Sequence, residues 1–108
     1  MVNVRGIDSE KIHFKLKKGR TKGLLKEVFG KEFVVDEFLD NLYVRKKPSL
    51  FNYFSMSWPK SFLTIDLNLD KNSFKLIDEK YFDKTIEFAE NYEKYFGVEV
   101  NLVTDYSR

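Results

Sequence analysis

Eighteen of the 108 residues are aromatic, 11 Phe, 6 Tyr and 1 Trp, and Ala89 is the only alanine. Each such ring brings roughly 150–250 Å² to be covered. Large rings must therefore fill the interior, on sheet faces and helix stripes wide enough to receive them. The length admits one core, because a second would leave each half near the size at which cores become marginal. Residues 1–108 are read as a single domain.

Cysteine is absent, which removes disulfide frameworks, thiolate zinc sites, iron–sulfur clusters and cysteine nucleophiles, and makes a reducing compartment, the cytoplasm, the expected location. Met1–Gly6 lacks the apolar run of a signal peptide, and no stretch approaches the roughly 18 apolar residues of a membrane span. No membrane partner is expected.

The formal net charge is only +2, but residues 1–60 carry 13 Lys+Arg against 7 Asp+Glu while residues 61–108 carry 6 against 10. That asymmetry suggests a surface with two poles.

Along the chain, Ile12, Phe14 and Leu16 alternate with His13, Lys15 and Lys17, the pattern of a half-buried strand from Lys11 to Lys17. Lys18-Gly19-Arg20 then reads as a turn, and Thr21 as the N-cap of a helix bearing Leu24, Leu25, Val28 and Phe29 and closed by Gly30. Between Lys31 and Lys47, Val34, Val35, Phe38, Leu39 and Leu42 fit a helical stripe, so a short helix near Asp36–Asn41 is expected to lead into a strand. Leu50–Trp58 alternates as a strand with rings on both faces, bounded by Pro48 and Pro59. Leu63, Ile65, Leu67 and Leu69 mark the clearest strand, and Asp70–Ser73 turns it into Phe74–Ile77. Asp78 caps a second helix running to Phe96, Gly97 closes it, and Val98, Val100 and Leu102 form a last strand before the polar tail Tyr106–Arg108. The expected fold class is α+β, a mostly antiparallel sheet of five to six strands with two main helices packed on one face.

Few arrangements of reactive groups are possible. His13 is the only histidine, so two-histidine metal sites cannot form within one chain, and it reads as a surface residue among lysines. Asp66–Asp70 opens like a calcium loop, but Lys71 and Ile77 stand where that loop requires Gly and Glu. Asp66 followed by Asp78-Glu79-Lys80 resembles the D…(D/E)xK pattern of the PD-(D/E)xK nucleases. That resemblance covers about 15 residues and implies two acids on a divalent metal with a lysine positioning the attacking water. Asp78 equally serves as a helix cap.

The feature with most content is the first half's mixture of cations and rings. Lys15, Lys17, Lys18, Arg20 and Lys22 cluster early, and Arg45, Lys46, Lys47, Phe51, Tyr53 and Trp58 follow. The leading reading is a non-catalytic binding or regulatory module acting through protein–protein contact, self-association included, with an aromatic patch near Phe51–Trp58 as its anchor. The alternative is single-stranded or non-specific nucleic-acid binding, with cations on phosphates and rings on bases, each stack worth roughly 1–3 kcal/mol. A metal-dependent nuclease is the third reading. The first reading needs no catalytic residue, metal or cofactor.

Overall fold

The lysine-rich N-terminal region forms one continuous helix, α1 (Gly6–Phe29), in place of the expected strand, turn and shorter helix. In the computed structural model the described residues are 6–68 and 72–106, with residues 6–14 described by their backbone alone. Thr21 does not cap the helix. It lies inside, fully buried, with its hydroxyl donating to the Lys17 carbonyl at 2.7 Å, one turn back. Thr21, Leu25, Val28 and Phe29 make a buried stripe at helical spacing, whereas Leu16 is exposed. The alternation of Ile12, Phe14 and Leu16 therefore does not mark a sheet face. Their neighbour His13 lies on α1, its side chain outside the described residues.

Gly30, at φ +87°, ends α1, and the next segment is a β-hairpin where the sequence suggested a short helix. β1 (Phe33–Phe38) pairs antiparallel with β2 (Asn41–Lys46) across a turn at Leu39-Asp40. Leu39 adopts φ +56°, rarely favourable for a branched side chain. Packing explains the difference. Val35 and Leu42 face the core, but Phe38 and Leu39 point to water, so the helical stripe read from the sequence has no interior to enter.

β3 (Ser61–Asp66) and β4 (Ser73–Leu76) continue the antiparallel meander. A 3-10 turn (Glu79–Tyr81) leads into α3 (Phe82–Phe96), and β5 (Asn101–Thr104) returns parallel to β4. The strands lie in the order β1-β2-β3-β4-β5, so the sheet is mostly antiparallel with one parallel edge. Gly97, at φ +65°, closes α3 as expected, but Asp78 does not cap that helix directly: it caps the preceding 3-10 turn by accepting from Lys80 N at 3.0 Å, and Tyr81 stands at the α3 N-cap with no side-chain capping bond. The tight turn expected at Asp70–Ser73 lies largely outside the described residues.

Val44, Leu63 and Leu76 form one cross-strand row, and Leu42, Ile65 and Phe74 the next. All six are fully buried. Leu25, Val28 and Phe29 of α1 and Phe88, Ala89 and Tyr92 of α3 cover this face. Phe62 sits at a register shift between Arg45–Ser61 and Val44–Leu63, where a bulge lets two consecutive side chains, Phe62 and Leu63, turn inward, with the Phe62 ring stacked on Tyr81 at 3.9 Å. The opposite face presents Asp36, Arg45, Thr64 and Lys75, and both main helices pack on the core side instead. Among the described residues no helix is long and apolar enough to cross a membrane.

A polar seam closes one end of the core. The Tyr92 hydroxyl and the Lys17 ammonium both donate to Asn72 Oδ1, at 3.1 and 3.3 Å. Burial pushes the Tyr92 phenol up to about 12 and pushes the Lys17 ammonium down, the latter partly offset by the charge of Asp66.

Two expected outcomes follow from this packing. Phe88→Ala empties a site between Phe74 and Tyr92 and costs about 3–5 kcal/mol, measurable by denaturant unfolding. Tyr92 keeps its proton when folded and loses it near pH 10 when unfolded, so its stabilisation is complete below pH 10 and disappears as pH climbs through about 12. Lys17 works in the opposite direction, up to its unfolded value of 10.5. Tyr92→Phe should lose less stability than wild type between pH 10 and about 12, as followed by denaturant unfolding at each pH.

Candidate functional site

The cations singled out in the sequence are mostly occupied by the fold itself. On α1, Lys15, Lys18 and Lys22 share a face, and both Lys18 and Lys22 pair with Glu37 of β1. Lys17 is committed to the Asn72 seam. Arg20 donates to the Tyr95 hydroxyl and lies 5.6 Å from that ring's centroid. Arg45 binds Asp36 at 2.7 Å on the open sheet face. Such surface pairs are worth about 0–1 kcal/mol each, but they leave only Lys15, Lys46 and Lys47 of the predicted cations without an ion pair or ring contact among the described residues.

Phe51, Tyr53 and Trp58 behave differently. Their segment is not a strand, because β2 and β3 pair directly with each other, from Asn41–Asp66 to Arg45–Ser61. Residues 48–60 are thereby excluded from the ladder and form a projecting connection. Its centre is a short helix, α2 (Leu50–Ser55), with no buried residue.

Asn52 organises this knob from within. Its Oδ1 accepts from Ser49 N at 2.7 Å and from the Ser49 hydroxyl at 3.0 Å, and its amide nitrogen donates to the Ser57 carbonyl at 2.6 Å. Met56 ends the helix at φ +60° with its N–H directed at the Asn52 carbonyl. Tyr53 and Trp58 meet edge to face at 4.9 Å.

The knob holds its apolar side chains outward. Leu50, Phe51, Tyr53, Phe54, Met56 and Trp58 are all more than half exposed, from 51% for Trp58 to 83% for Phe54. Pro48–Pro59 contains no charged residue in a chain that is 33% charged. Lys46 and Lys47 precede it and Lys60 follows it, all three exposed and none ion-paired among the described residues. An uncharged aromatic tip within a collar of ammonium groups has the composition of an interface centre and its rim.

Beside the knob's base lies a cleft of about 470 Å³ lined by Lys60, Phe62, Ile77, Asp78, Glu79 and Tyr106. A smaller one shares Glu79 and Tyr106 and adds Phe82 and Asp83. The Tyr106 hydroxyl is shielded from solvent and has no hydrogen-bond partner among the described residues. Sequence reasoning did not anticipate this cleft. The flanking of Asp78-Glu79 by Ile77 and Phe82 was its only trace.

The acids that resemble a nuclease pattern are not brought together. Asp66 stands opposite Ser73 at one end of the β3–β4 hairpin, and Asp78 follows Leu76–Leu63 at the other. Among the described residues no group of three His, Asp or Glu side chains is placed to hold a metal ion.

Compared with protein-family models, curated proteins and solved structures, the chain matches none.

If Asn52 alone orders the knob, Asn52→Ala should increase acrylamide quenching of Trp58 fluorescence while changing global stability by less than about 0.5 kcal/mol, as for exposed sites in general. A cooperative loss of several kcal/mol would show instead that the knob is part of the core.

Proposed function

We propose that this protein is a non-catalytic binding module, acting in the cytoplasm, whose knob at Leu50–Trp58 docks into another protein. One observation carries the reading: six large apolar side chains stand in water on a segment that contributes none of its side chains to the core. A contiguous apolar patch of this kind is unfavourable on a chain that acts alone, and rings of Trp, Tyr and Phe are the usual anchors where a partner covers them. Asn52 supports the same reading, since it pre-orders the tip and lowers the entropy lost on docking. Lys46, Lys47 and Lys60 then lie at the rim, where charge steers encounter more than it adds affinity.

The cationic helix α1 gives less support to nucleic acid as the ligand, because Lys17, Lys18, Arg20 and Lys22 already have partners within the chain. Binding of phosphates there requires those contacts to break.

A photo-crosslinking phenylalanine analogue at Phe54, compared with the same group at the exposed Glu90 of α3, tests the proposal in extract from the source cells. A discrete protein adduct is expected from position 54 alone, resistant to nuclease digestion and lost when Tyr53→Ser and Trp58→Ser are added. No adduct, or one removed by nuclease, overturns it.

A further inference from the structure

The knob and the cleft are neighbouring surfaces of complementary chemistry on the same chain. The knob offers apolar side chains inside a ring of ammonium groups, Lys46, Lys47 and Lys60. The cleft offers apolar walls, Phe62, Ile77 and Tyr106, with Asp78 and Glu79 at its edge and Asp83 in the adjoining hollow. None of these three carboxylates forms an ion pair among the described residues.

Area supports the same occupant. Six large side chains, each more than half exposed, present on the order of 800 Å² of apolar surface, above the ~300–600 Å² of the largest patch on a typical monomer. A standard interface buries about 800 Å² from each partner. The cleft, at about 470 Å³, has room for a ring from the knob.

Resting on the reading of the knob as a protein-docking surface, we infer that its occupant is a second copy of this chain, in a reciprocal dimer where each knob enters the other copy's acid-edged cleft. Lys60 both ends the knob segment and lines the cleft, so the two surfaces are neighbours. A two-fold axis beside Lys60 forms the knob–cleft contact twice and closes the assembly. The collar lysines meet the partner copy's carboxylates at the cleft edge. A foreign partner would have to supply a second set of features that this chain already has.

Sedimentation velocity on the purified full chain, at about 100 µM and low salt, tests this well above the micromolar weak end for interfaces of such area. Wild type is expected to be a dimer. Lys47→Glu/Lys60→Glu places acid against acid, and Glu79→Lys/Asp83→Lys places base against base, so each variant alone should lose at least about a hundredfold in dimer affinity through like-charge juxtaposition. An equimolar mixture of the two should recover a heterodimer, because both of its contacts are again of opposite charge. All four positions are exposed or at the cleft edge, and circular dichroism with thermal unfolding confirms that the variants fold.

A wild-type monomer overturns the inference. So does a dimer that survives Glu79→Lys/Asp83→Lys, which would mean that knob packs against knob. The crosslink at Phe54 separates this failure from failure of the underlying reading. Adducts to other proteins with a wild-type monomer keep the knob as a docking site for a foreign partner, whereas no adduct of any kind removes both ideas.

Discussion

Backbone pairing between β2 and β3 joins Leu42 to Ile65 and Val44 to Leu63 and leaves no gap for another strand. Both strands are interior members of the sheet, so their edges are already used. The connection between them must therefore leave the layer after Lys47, whose N–H still reaches the Glu32 carbonyl, and residues 48–60 lie outside the strand ladder. A short helix satisfies part of that backbone locally, and Asn52 satisfies more through Ser49 and Ser57. The exposed rings follow from this topology, because the sheet that could have buried them is closed before the segment begins.

The interior does not need those rings. Phe29, Phe33, Phe62 and Tyr81 interlock at centroid separations of 3.9–5.7 Å and join α1 to the sheet and to the turn before α3. Phe74, Phe88, Tyr92 and Phe96 form a second group that fixes α3. With Leu42, Val44, Leu63, Ile65 and Leu76 filling the rows between them, the helix-covered face is complete. The division of aromatic residues between core and knob is thus a division between segments with sheet or helix partners and one segment without.

Charge is distributed by a related logic. The cations of α1 neutralise Glu37 and cover Tyr92 and Tyr95, so the positive excess of the first half is partly consumed in tying α1 to β1 and α3. Among the described residues, the cations left without a carboxylate include those at the stem of the knob, and acids left without an ion pair edge the neighbouring cleft. Two poles therefore lie close together at one end of the molecule, where short-range attraction between chains is least weakened by salt.

Where local pattern and tertiary environment agree, the sequence alone sufficed. The Leu63–Leu67 alternation, the Phe74–Leu76 strand and the Gly97 stop of α3 are all legible, because period-two burial and terminal capping are properties of a few adjacent residues, and Asp78 is a cap as expected but of the 3-10 turn before α3. So was the abundance of rings beyond the clearest core positions, which pointed to Phe51, Tyr53 and Trp58. Tertiary structure alone decided that Lys11–Lys17 is helical, since Thr21, Leu25 and Phe29 find a sheet to cover and the Ile12–Leu16 alternation does not set the conformation. It also decided that Val34–Leu42 turns as a hairpin, and that the second set of alternating rings faces water. Alternation states which side chains share a face, but only the presence or absence of a hydrogen-bonding neighbour determines whether that face exists.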